Sequence, residues 1–80
     1  MNKTDILTQA LEARDNEILG YQINIDNYRL AIAKIQAEHP ENADLAEFRA
    51  DLEARLAEEL RQQLRMRIIR DVIADQLQEP

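Results

Sequence analysis

The feature that most constrains this chain is a short breaker, His39-Pro40-Glu41-Asn42, set between two amphipathic stretches of nearly equal length, residues 4 to 38 and 43 to 78. The residue before a proline is pushed out of the helical region, so a helix arriving from the amino side has to stop there. Neither stretch contains a proline of its own, and Gly20 is the one glycine of the chain. The expectation is an all-α fold, an antiparallel helical hairpin with helices at about 4–38 and 43–78 and a turn at 39–42. All of residues 1–80 then form a single helical domain.

The first stretch carries a readable heptad. Its a positions are Thr4, Leu11, Ile18, Ile25, Ile32 and His39, and its d positions are Leu7, Arg14, Tyr21, Tyr28 and Ile35; eight of the eleven are large and apolar or aromatic. Such a seam packs along a partner helix. Thr4 or Asp5 is placed to cap the helix start. A second, weaker stripe of Leu19, Ile23, Leu30, Ala33 and Ala37 lies beside the seam, and one neighbouring helix cannot cover both. Gly20 costs about 1 kcal/mol relative to alanine in a helix. It marks either a close approach by another helix or a kink, and a kink gives the alternative of a three-helix bundle broken at Gly20. The alternation Tyr21-Gln22-Ile23-Asn24-Ile25-Asp26 resembles a short strand, but nothing in the chain is suited to pair with it.

In the second stretch Asn42 or Asp44 can serve as cap, with Glu41, Asp44 and Glu47 near the positive end of the helix dipole. Leu45, Phe48, Leu52, Leu56, Leu60, Leu64, Ile68 and Val72 then recur largely at intervals of four. Because a helix has 3.6 residues per turn, such a row winds steadily round the helix. Towards the end the apolar face broadens to Met66, Ile69, Ile73 and Leu77, too wide for one partner. Two hairpins packed face to face as a homodimeric four-helix bundle would bury Ile18, Ile25, Ile32, Leu60, Leu64, Ile69 and Ile73 as the oligomer interface.

Charge also bears on the register. If the chain folds back near residue 41, facing positions sum to about 82, and opposite charges then meet: Arg29 with Glu53, Arg55 with Asp26, Lys34 with Glu47, Arg65 with Glu17, Arg67 with Asp15 and Arg70 with Glu12. Exposed pairs contribute about 0–1 kcal/mol each, so they would select orientation more than they stabilise. Arg14, at a d position, would either snorkel out to Asp71 or fix the register of an oligomer.

Several function classes lose support on composition. A net charge of −6 opposes general binding to nucleic acid, whose phosphates need clustered cations. There is no cysteine, hence no disulfide or thiolate metal site. No apolar run approaches the roughly 20 residues of a membrane span, and the start does not resemble a secretory signal, so a cytoplasmic location without membrane contact is expected. The lone His39, beside Pro40, is poor material for a metal site. No phosphate-binding loop and no nucleophile with a base at a meaningful spacing is present. The chain therefore reads as a non-enzyme without cofactor or metal.

The reading that remains is a small helical protein-protein interaction or regulatory accessory protein, acting as a homo-oligomer and engaging another, unidentified protein. Small acidic helical accessory factors of this size are common in bacteria and bacteriophages, which is a base rate and not a motif. Its candidate partner surface comprises Leu19, Ile23 and Leu30 with the acidic Glu53, Glu58 and Glu59. Two alternatives use charge instead. Arg61, Arg65, Arg67 and Arg70 form an arginine stripe that could contact nucleic acid, although three of them have acidic partners waiting on the first helix and only Arg61 does not. The run Glu41, Asp44, Glu47, Asp51, Glu53, Glu58 and Glu59 could imitate a nucleic-acid backbone as an acidic inhibitor, although Arg49 and Arg55 dilute it.

Overall fold

The structure is a computed structural model that describes residues 2–79. It is an all-α antiparallel hairpin: helix α1 spans Lys3–Glu38, a single 3-10 turn spans Ala43–Leu45, and helix α2 spans Ala46–Gln78. The two helices lie along one another as a rod of 59 × 16 × 14 Å. Among the described residues there is no strand, and the alternating run at 21–26 is helical within α1.

Local chemistry sets the ends. The cap of α1 is Asn2, with Thr4 and Asp5 already inside the first turn. Asn2 has extended backbone and its Oδ1 accepts from the Asp5 amide at 2.9 Å, the geometry by which a short polar side chain satisfies a free N–H of the first turn. Asp5 then sits where the helix dipole favours a negative charge. At the other end the His39 amide still donates to Ile35 O at 2.8 Å, but His39 itself has left helical geometry ahead of Pro40. The Asn42 amide returns to His39 O at 3.3 Å, closing the turn. Asn42 rather than Asp44 does the capping: its Oδ1 accepts from the Asp44 amide at 3.0 Å and starts the 3-10 turn, from which α2 continues with no side-chain cap of its own.

Gly20 does not break the helix. α1 runs without interruption through it, so the three-helix alternative is set aside. The physical reason is that Ile18 and Tyr21, on either side, are both held in the seam, and a penalty of about 1 kcal/mol is small beside the packing that pins them.

The seam of α1 is the heptad read from sequence. Every a and d residue from Leu7 to Ile35 is buried or half-buried, Ile25 completely, whereas Thr4 and His39 at the extremities are exposed. The seam of α2 differs from its interval-of-four row. The residues turned towards α1 are Leu45, Arg49, Leu52, Leu56, Glu59, Gln63, Met66, Arg70, Ile73 and Leu77, alternating steps of three and four. Two helices in contact along their length must each present a 3.5-residue repeat. A row at steps of four drifts by about 40° per step and leaves the contact after Leu56. Phe48, Leu60, Leu64, Ile68 and Val72 consequently face outward.

The core is thin. Ile25 and Leu52 are its buried apolar residues, joined by the buried Gln63. Gln63 Nε2 donates to Gln22 Oε1 at 2.9 Å and to Ile18 O at 3.3 Å, a polar tie between the helices at mid-height.

Candidate functional site

With so little apolar surface inside, the candidate site is the outside of the rod. Ten large apolar side chains are exposed among the described residues: Ile6, Leu19, Ile23 and Leu30 on α1, and Phe48, Leu60, Leu64, Ile68, Ile69 and Val72 on α2. Single exposed leucines are ordinary on a protein surface. Here, however, ten such side chains stand outside, while among the described residues Ile25 and Leu52 are the buried apolar ones and the rest of the apolar seam is half-buried.

The residues expected at the oligomer interface divide into two sets. Ile25 is 0% exposed within one hairpin, and Ile18, Ile32 and Ile73 are half-buried in the same seam, so their apolar surface is largely spent on joining α1 to α2. Leu60, Leu64 and Ile69 remain exposed, at 38%, 60% and 45%. The residues expected to meet a partner, Leu19, Ile23 and Leu30, are exposed as well. Ile6, Phe48, Ile68 and Val72 join them. The last three were visible in the interval-of-four row. Ile6 could have been found from its place off the a and d positions of the first heptad.

The acidic set also divides. Glu53 and Glu58 are exposed, each engaged by an arginine of its own helix, Arg49 at 3.1 Å and Arg61 at 2.7 Å. Glu59 belongs to the seam and not to the acidic surface: it is half-buried, and its Oε2 is sealed from solvent with no hydrogen-bond partner among the described residues. The carboxyl of Glu58 is held below its ordinary range, first by the amide of Gln62, which donates at 2.8 Å, and then by the Arg61 guanidinium.

None of the six anticipated cross-helix charge pairs is present among the described residues. Among the described residues one ion pair crosses between the helices, Arg70 to Asp15 at 2.9 Å, where the charge pattern had matched Arg70 with Glu12. Arg55 takes Asp51, Lys34 takes Glu38, Arg49 takes Glu53 and Arg14 takes Glu17, all within one helix at three or four residues' distance. A neighbour one turn away is already held by the helix, so pairing with it orders fewer free side chains than reaching across. Arg14 meets Glu17 and not Asp71, and its Nε is buried without a partner among the described residues. The contacts Ile18 to Gln63, Gln22 to Gln63 and Asp15 to Arg70 sum to 81–85, which brackets the expected register but selects different side chains.

The arginine stripe is partly consumed by the same rule. Arg61 is tied to Glu58, and Arg70 bridges Asp15 and Asp71, partners that raise its pKa above the ordinary arginine value, Asp15 first. Arg65 and Arg67 are exposed and take part in no ion pair among the described residues.

His39 lines a hollow of about 170 Å³ at the turn, with Ile35, Pro40, Asn42, Leu45, Ala46 and Arg49. Among the described residues no group of three His, Asp or Glu side chains is placed to hold a metal ion, and no helix is long and apolar enough to cross a membrane. No known protein family matches the chain, and no curated protein or solved structure does either.

Proposed function

We propose that this chain is a non-enzymatic helical interaction module, a small accessory or regulatory protein that works as a homodimer of hairpins and presents its remaining helical surface to another protein. One observation carries the reading: the hairpin leaves ten large apolar side chains outside and buries Ile25 and Leu52. A domain of this size gains little from its own core, and association is the usual remedy. The neutralisation of Glu53 and Glu58 by Arg49 and Arg61 supports apolar contact over acidic mimicry as the means of recognition. Tying Arg61 and Arg70 to carboxylates likewise weakens the case for phosphate contact.

Sedimentation equilibrium tests the assembly: a species of twice 9.3 kDa is expected at micromolar concentration, and a monomer overturns the reading. A titration with duplex and single-stranded DNA at two salt concentrations tests the function class. No binding is expected, and an affinity that falls steeply with salt would establish a nucleic-acid binder instead.

A further inference from the structure

We infer that the second copy docks on the outer side of α1, the two α1 helices running antiparallel and crossing at Gly20; this rests on the self-association proposed above and specifies its geometry. The first ground is Gly20 itself. A Cβ built there would meet nothing within 4 Å, so the hairpin makes no use of the missing side chain. Beside it lies an open groove of about 460 Å³, lined by Glu17, Gly20, Tyr21, Ile23 and Asn24, all from α1. A glycine in mid-helix weakens that helix. Its benefit here is close approach by a helix that this chain does not itself supply.

The second ground is position. Gly20 lies at the middle of α1, which spans Lys3–Glu38. A two-fold axis passing there lets two antiparallel α1 helices overlap along their whole length, each contact made twice, as an isologous interface requires. A glycine far from the midpoint would leave one end of each helix without a partner.

The third ground is the chemistry flanking the groove. Of the exposed positions of α1 from 16 to 27, Glu17 and Asp26 carry charge, Glu17 already paired with Arg14 at 2.7 Å, and Leu19 and Ile23 are both more than half exposed. The fourth ground is area. A compact monomer of 9.3 kDa exposes about 5,000 Å², whereas this chain exposes 5956 Å². The excess matches the roughly 800 Å² per partner that a stable interface takes.

The test uses the chain's lack of cysteine. Gly20→Cys introduces a single thiol on the proposed axis, and mild oxidation should link two copies within the dimer. Leu30→Cys places its two thiols about 30 Å apart along the crossed helices and should not link. Equal linking at both positions, or linking at 30 alone, overturns the crossing. Gly20→Leu reads the same geometry without oxidation. Its helicity by circular dichroism should be retained, because the space is open, while the dimer weakens at least tenfold in sedimentation equilibrium. A Gly20→Leu protein that still dimerises as tightly as the parent removes this crossing and leaves self-association standing, whereas a parent that is monomeric removes both.

Discussion

α1 turns Leu11, Ile18, Ile25 and Ile32 towards its neighbour, while α2, of almost the same length, answers with Arg49, Glu59, Gln63 and Arg70 among its seam residues and leaves Leu60, Leu64 and Ile68 outside. The two helices share one contact and one register, so the difference lies in how each sequence meets the period that contact imposes. α1 repeats its large apolar residues at 3.5. α2 repeats them at four, and its row crosses the contact near Leu52 and Leu56 before winding out to solvent. An amphipathic helix is thus amphipathic only with respect to a given partner. The residues of α2 that look like a core on their own become a surface once α1 chooses the face.

That asymmetry predicts that the inside and the outside of α1 respond unequally to substitution. Ile25 is the fully buried residue of α1, and Ile25→Ala should cost about 2–4 kcal/mol from lost burial and the cavity left behind. Leu30→Ala, on the same helix but 68% exposed, should cost less than about 0.5 kcal/mol. Urea denaturation followed by circular dichroism measures both. Equal losses at the two positions would mean that the inside and outside of α1 are not distinguished in solution.

The legible part of this fold was the part whose signal is local or strictly periodic. Pro40 marks the turn because its ring constrains the preceding residue whatever else the chain does. The seam of α1 can be read because Leu7 to Ile35 keep one phase over nine successive a and d positions. The seam of α2 was hidden because Leu45, Leu52 and Leu56 belong at once to the interval-of-four row and to the heptad, and only contact with α1 decides between them. The ion pairs were hidden for a different reason. Opposite charges on facing helices satisfy a sequence register, but Arg49, Arg55 and Arg61 each find a carboxylate one turn away and settle there. Of the candidate surface, Leu19, Ile23 and Leu30 were legible as a stripe beside the seam, while Glu59 was misplaced because an acidic residue reads as surface by default.

Glu59 gives the sharper form of the comparison. It occupies a seam position of α2, and one carboxylate oxygen is sealed from water without a hydrogen-bond partner among the described residues. A buried acceptor left unmade costs about 1–3 kcal/mol. Glu59→Leu should therefore raise the stability of the hairpin by an amount in that range, whereas the isosteric Glu59→Gln, which keeps a carbonyl oxygen in the same place, should recover less of it. A destabilised Glu59→Leu in urea denaturation would show that the polar residues of this seam are satisfied, and that α2 is as well packed as α1.

The smallest effect belongs to the outer face of α2, where charge is managed within the helix. Glu58 accepts from Gln62 and Arg61, which together hold its carboxyl below the ordinary value of 4.5. A carboxylate whose folded pKa lies below its unfolded value contributes stability above the unfolded value, and that contribution is lost as pH falls through the folded one. The direction is thus a small stabilisation present at pH 7 and at pH 5, fading below about 4.5. Protonation of the other acids acts on both proteins, so the difference between the parent and Glu58→Gln isolates this group. That difference, from urea denaturation at a series of pH values between 7 and 3, should be level above pH 5 and shrink on acidification. A difference that stays constant across the range would mean that Arg61 and Gln62 hold the side chain no more firmly when it is charged, and that the outer face of α2 is ordered by its apolar residues alone.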